Sequence, residues 1–175
     1  MRFFSLYKFE EIKKALNLNG SEVIVDMGGG TGELGEYLMD SCSLIYILDE
    51  SDKMLSKVKV NEKIIPVQGE ALSTGFESKS IDVVILSDVF HHISNQGKLL
   101  EEIERILKRD GKLLIMDFEK KHFRTKLLIL FEYLLFGKLY FKTKDEIIDI
   151  LTESFKIDKI IDKGYYFIIV GLNRC

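Results

Sequence analysis

Val23-Ile24-Val25-Asp26-Met27-Gly28-Gly29-Gly30-Thr31-Gly32 decides the fold of this chain of 175 residues. The apolar run Val23–Val25 has the character of a short strand buried on both faces of a parallel sheet. Gly28, Gly30 and Gly32 follow at alternate positions, and Glu33–Met39 reads as a helix with Leu34 and Leu38 turned inward. Glycine between strand and helix admits backbone angles closed to other residues and lets a ligand approach the main chain. The spacing is G-x-G-x-G, not the G-x-G-x-x-G of dinucleotide folds. Glu33 stands at the helix start, where its charge opposes the phosphate that such an N-terminus otherwise attracts. The turn favours a ligand without phosphates.

Outward from this turn, strands and helices alternate. Residues 5–17 carry Leu6, Phe9, Ile12 and Leu16 at helical spacing, and Asn19-Gly20-Ser21 supplies the stop. Leu44–Leu48, Lys63–Val67 and Ile81–Leu86 are predicted strands, with a helix over Asp52–Val58. Leu99, Leu100, Ile103, Ile106 and Leu107 give 96–108 the stripe of a covering helix, and Asp110-Gly111 turns into a fifth strand, Lys112–Met116. Five such alternations predict a parallel sheet with helices on both faces. The ending differs: Thr143-Lys144-Asp145-Glu146 is a capping box opening a helix to about Glu153. Phe155–Ile161, Lys163-Gly164 and Tyr165–Leu172 then read as an antiparallel hairpin. No linker, repeat or low-complexity stretch interrupts the chain, so residues 1–175 are expected to form one domain.

Composition fits that expectation. Hydrophobic residues are 46% and charged residues 30%, an ordinary globular balance, and the net charge of −3 does not ask for a nucleic-acid partner. The first residues carry charge but no apolar leader core, and Cys42 and Cys175 form no metal-spaced cluster, so a cytoplasmic protein without a metal site is expected. Residues 127–136 are nearly all apolar, yet the run is half the roughly 20 residues a span requires. It is not expected to cross a membrane.

Two further strand ends carry acids. Asp49 closes the second predicted strand, 17 residues past Gly32, where a carboxylate can accept both ribose hydroxyl protons. Gln68-Gly69-Glu70-Ala71 follows the third, where a carboxylate can accept from an adenine amino group. Ligands of open α/β sheets bind at these carboxyl ends.

These pieces together resemble the class I S-adenosylmethionine (SAM)-dependent methyltransferases, especially the group related to ubiquinone/menaquinone-biosynthesis enzymes (type 11). The likeness runs in order over about residues 20–118. It comprises Val25–Gly32, Leu48-Asp49-Glu50-Ser51-Asp52-Lys53-Met54-Leu55, Gln68–Ala71, Ile81–Ile93 and Leu107–Ile115. The resemblance implies a Rossmann-like, doubly wound sheet of seven strands in the order 3-2-1-4-5-7-6, mostly parallel, with the terminal hairpin antiparallel. It implies SAM as cofactor and S-adenosylhomocysteine as its product. Gly28, Gly29 and Gly30 would face the methionine part of SAM, with Asp26 ordering the turn from below, and Gly32 would complete the cofactor-binding glycines. Asp49 would hold the ribose, Glu50 and Met54 would border the adenosine, Glu70 and Ala71 would contact adenine, and Ser87 would lie near the methionine end. Glu70 stands where the family usually has aspartate, and Leu72–Phe76 lacks its usual proline.

For methyl transfer, a base is needed only when the nucleophile must lose a proton. His91 and His92, just past the fourth strand, are the candidates, with Asp88 able to orient one of them. The acceptor is expected to be a small molecule. The insertion at 119–142, and within it 123–141, is either a lid over the acceptor or core and homodimer interface. Phe3, Phe4 and Tyr7 either close over the cofactor or pack. Two competitors remain: an NAD-dependent oxidoreductase, opposed by the turn spacing and Glu33, and a non-catalytic SAM-binding module acting through a protein partner.

Overall fold

The computed structural model describes residues 2–123, 125, 126, 133 and 138–175, with side chains from residue 7 onward. Most of the apolar run at 127–136 and the side chains of Phe3, Phe4 and Leu6 lie outside the described residues, as does most of the expected lid or homodimer segment.

Helix α1 (Arg2–Leu16) precedes strand β1 (Val23–Met27), which runs two residues beyond its apolar start. The glycine turn leads to α2 (Glu33–Leu38), then β2 (Leu44–Asp49), α3 (Asp52–Leu55) and β3 (Ile64–Gln68). Strand β4 (Ile81–Ser87), α4 (Gln96–Ile106), β5 (Leu107–Phe118), α5 (Lys144–Leu151), β6 (Phe155–Asp162) and β7 (Tyr166–Asn173) complete the order. The seven strands form one sheet ordered β3-β2-β1-β4-β5-β7-β6. The five strands from β3 to β5 pair in parallel, while β7 pairs antiparallel with both β5 and β6. This is the doubly wound α/β arrangement read from the sequence.

The strand period of two divides the core. Ile24, Ile45, Ile85, Leu114 and Ile168 face one side, where Ile12, Leu16, Leu34 and Leu38 of α1 and α2 cover them. Val25, Val84, Leu113, Ile115 and Ile169 face the other, against Leu99, Ile103 and Ile106 of α4 and Ile147 and Leu151 of α5. Both layers are almost fully buried, so a Leu→Ala change in either costs about 2–5 kcal/mol.

Several boundaries differ from the sequence reading. The helix expected over 52–58 stops at Leu55, although Val58 remains buried, because the chain leaves helical geometry while its apolar side chain still packs. Helix α4 stops at Ile106, two residues early, since Leu107 already pairs with Ile81. The turn at Asp110 is nonetheless real: its φ is 60°, and regular pairing with β4 begins at Lys112–Val83. The capping box forms as read, with Thr143 accepting from the Glu146 amide and Glu146 accepting from the Thr143 amide. Among the described residues, no helix is long and apolar enough to cross a membrane.

Candidate cofactor and acceptor site

Strands β1, β2, β4 and β5 point their carboxyl ends to one edge of the sheet, and the site gathers there. The glycine turn is pinned first. The Gly28 and Gly29 amides donate to the Leu48 carbonyl at 2.7 and 3.2 Å, tying the turn to the end of β2. Gly28, Gly30 and Gly32 have φ of 72°, 56° and 76°, the left-handed region where a side chain is strained. Space is as restrictive as angle at Gly28 and Gly29. A Cβ on Gly28 would lie 2.7 Å from a methyl of Val89, and one on Gly29 would lie 2.8 Å from Asp26 Oδ2.

Asp49 joins the turn directly. Its Oδ2 accepts from the Gly30 amide and its Oδ1 from the Ser51 amide, both at 2.9 Å. A carboxylate offers about four acceptor sites, so each oxygen keeps capacity for one more donor. Met54 reaches the same place from α3, its Cε 3.4 Å from where a Gly30 Cβ would stand. Gly69 donates to the Asp49 carbonyl at 3.1 Å, which sets the Glu70–Ala71 turn beside the end of β2. Glu50 and Glu70 are exposed, Ala71 is half-buried, and Ser87 ends β4, paired with Met116.

Asp26 is the unusual member. It is buried beneath the turn, and its Oδ2 has no hydrogen-bond partner among the described residues. Burial, with a smaller contribution from the Asp49 charge, pushes its carboxyl up to about 7. A buried, unsatisfied acid under a glycine cradle suits a cationic ligand group, and the paired acceptors of Asp49 suit a vicinal diol. These residues fit a positively charged nucleoside such as SAM.

A second cluster lies beyond β4 and β5. The Phe90–His92 turn buries His91, whose Nδ1 lies 2.7 Å from Asp117 Oδ1, while its amide donates to Asp117 Oδ2 at 3.2 Å. Asp88 was expected to orient a histidine; the orienting acid is instead Asp117, from β5. An acidic residue inside the apolar run Leu113–Phe118 was the sequence signal for it. Asp88 takes a left-handed φ of 65°, and burial raises its pKa against the opposing charge of Lys8. Lys8 enters from α1, buried, with its ammonium 4.2 Å from the Phe118 ring centroid. Its pKa is lowered by burial, which Asp88 and Asp117 partly offset. Asp88, His91 and Asp117 also place one donor atom each within 4.8 Å of one another, a set able to hold a metal ion that sequence spacing did not foresee. Lys8 already supplies positive charge to both acids.

His92 is exposed, its ring centroid 4.2 Å from that of His91. Lost hydration, then the His91 ring, hold its pKa below the ordinary histidine value. The returning end of the 119–142 insertion closes on this turn. Phe141 stacks on His91 at 4.0 Å and the Tyr140 amide donates to the His91 carbonyl at 2.7 Å. At this end the insertion is core. Sequence reading missed Lys8, Val89, Asp117 and Phe141, whose contributions depend on long-range packing.

Comparison with known proteins bears on the family and the fold. Residues 25–115 match the family model described as "Methyltransferase domain". An uncharacterised methyltransferase of Geobacillus is 26% identical over 113 residues, covering 62% of this chain and 53% of the relative. The demethylmenaquinone methyltransferase of Thermotoga maritima is 31% identical over 102 residues, covering 55% and 43%. The chain thus spans about half the length of the curated relatives it matches, or less. A solved SAM-dependent methyltransferase from Aquifex aeolicus superposes with a TM-score of 0.78 at 20% identity, covering 94% of this chain and 89% of that one.

Proposed function

The chain belongs to the methyltransferase-domain family, in the type 11 group of class I SAM-dependent methyltransferases, and from that premise we propose that it transfers a methyl group to a small-molecule acceptor. The observation that carries this reading is the joined cradle: Gly30 bonded to Asp49, with Asp26 buried and unsatisfied beneath. SAM supplies an activated methyl sulfonium, so the protein's task is chiefly to hold donor and acceptor in line.

In this reading the cradle divides the labour. Asp49 would accept from the ribose hydroxyls, with Glu50 and Met54 beside the adenosine and Glu70 and Ala71 at the adenine. Gly28–Gly30 would admit the methionine part, Gly32 starts α2, and Ser87 would stand near the methionine end. Asp26, beneath the turn, would order it and, once ionised, add negative charge below the donor. His92 accepts a proton where the acceptor must lose one, because its lowered pKa keeps it neutral near pH 7. His91 is the positioning residue, fixed by Asp117 and Phe141. An intact cradle supports donor binding over a scaffold that has lost it.

An acceptor screen with methyl-labelled SAM tests the reading. Label should pass to at least one small molecule, and His92→Ala should slow turnover while leaving SAM affinity intact. A protein that binds SAM but labels nothing across quinols, phenols, amines and thiols would contradict it.

A further inference from the structure

Residues 69–80 join β3 to β4 without a helix or strand of their own, and Glu70 and Ala71 lie among them. Gly69 fixes one end through the Asp49 carbonyl, and Lys79 and Ser80 fix the other, donating to the Arg105 and Ile106 carbonyls at 3.0 Å. Between these ends, two side chains of α4 bond the loop. Glu102 Oε1 accepts from the Thr74 amide at 2.8 Å and from the Thr74 hydroxyl at 2.7 Å. Arg105 donates to both Glu102 oxygens at 2.8 Å, to the Phe76 carbonyl at 2.8 Å and to the Ser78 hydroxyl at 3.1 Å. Thr74 is buried, and it directly follows Ser73, whose amide donates to the Glu70 carbonyl at 3.1 Å. The turn at 70–73 is thus clamped between Asp49 on one side and Glu102 on the other.

We propose that Glu102 is a positioning residue for base recognition: by holding Thr74 it fixes the turn at 70–73 so that the Glu70 carboxylate meets an adenine amino group. The proposal rests on the SAM reading of the site and adds to it a residue outside the pocket. A partly exposed i, i+3 ion pair on a helix contributes little to stability by itself. This pair does something further. A buried backbone amide must find an acceptor, and in a loop without a strand ladder Glu102 supplies it for Thr74. Arg105, ahead of the Thr74 bonds, holds the Glu102 carboxyl down to about 2, so the anchor is ionised throughout the neutral range. Glu70 itself is exposed, and its direction depends on the turn that carries it. Recognition of a flat base edge tolerates little misplacement of the acceptor, since a hydrogen bond weakens steeply with angle.

Titration calorimetry of the full chain with S-adenosylhomocysteine and its deaminated counterpart, which has a carbonyl in place of the adenine amino group, tests it. The unaltered protein should prefer the adenine form by about tenfold or more, the effect of one hydrogen bond to a charged group. Glu102→Ala should reduce that preference to about threefold or less, with the loss falling on the adenine form. Glu102→Gln should keep most of it, because its carbonyl oxygen still accepts from Thr74. Arg105→Ala leaves Thr74 bonded but frees Phe76 and Ser78, and should give an intermediate preference whether or not Glu102→Ala folds. The exposed neighbour Glu101→Ala should match the unaltered protein. Circular dichroism and denaturation establish folding and stability for each variant. A purely structural role predicts lower stability with the preference unchanged, and that result in Glu102→Ala or Arg105→Ala would overturn the proposal. An unaltered protein that binds both forms equally would overturn it too, leaving the SAM reading in place. Binding of neither form would overturn both.

Discussion

The Gly30 amide and the Asp49 carboxylate are joined by one hydrogen bond of 2.9 Å. Main chain that must stay open to the ligand is thereby held by the side chain that would bind the ribose. Removing that side chain disturbs both. Asp49→Ala should weaken SAM binding by about 1–3 kcal/mol through lost hydrogen bonds to a charged group. Asp49→Asn should lose less, since one carbonyl oxygen can still accept from Gly30. Titration calorimetry reads both, and unchanged affinity in Asp49→Ala would mean the ribose site lies elsewhere.

Gly28→Ala meets two obstacles, a φ of 72° and a Val89 methyl 2.7 Å from the new carbon. The left-handed angle alone costs about 1–2 kcal/mol, so Gly28→Ala should be destabilised by at least that amount. Adding Val89→Ala should recover the steric part but not the angular part. Chemical denaturation of the four proteins of this cycle measures the coupling. Strict additivity would show that Val89 does not bear on the turn.

Asp26 makes stability depend on pH. Its carboxyl is raised from 3.8 to about 7 in the folded protein, so the folded state holds a proton that the unfolded chain has already released. Stability should therefore fall as pH rises from about 4 to about 7, by on the order of 4 kcal/mol for this group. Asp26→Asn should flatten that slope and be the more stable protein above neutrality. Because ionised Asp26 suits the cationic donor, SAM binding should also release protons near neutral pH. Melting curves across this range, with and without SAM, provide the check. A slope identical in Asp26→Asn would assign the titration to another group.

Asp117 holds the second cluster together, accepting from the His91 and Phe118 amides as well as facing the His91 ring. Asp117→Ala leaves buried His91 without its acid and Lys8 with Asp88 alone, and should destabilise the fold by about 3–5 kcal/mol. If Asp117 positions His91 beside a base at His92, Asp117→Asn should lower kcat and shift its pH profile at little cost in KM for SAM. Denaturation and steady-state kinetics separate these effects. A normal pH profile in a folded Asp117→Asn protein would leave the residue a purely structural role.

Legibility in the sequence followed the range of the interactions involved. Val23–Val25, Ile81–Leu86 and the hairpin at Phe155–Leu172 were readable because strand burial leaves a local apolar pattern. The seven-strand order came from the resemblance. The acids at Asp49 and Glu70 were readable because position after a strand is itself local. Asp117 was not, since its meaning depends on His91, 26 positions away and on another strand's end. Lys8 was hidden for the same reason: its acidic partners lie just past β4 and on β5, and a lysine in an amphipathic helix ordinarily faces water. Val58 shows the converse, an apolar residue that marks burial correctly while suggesting a helix that has already ended.

The most direct test of the central claim is calorimetry with SAM, its demethylated product and NAD on the unaltered chain. The cradle of Gly28–Gly30, Asp26 and Asp49 should bind SAM and the demethylated nucleoside and give no heat with NAD. Binding of NAD with neither sulfur nucleoside would contradict the account.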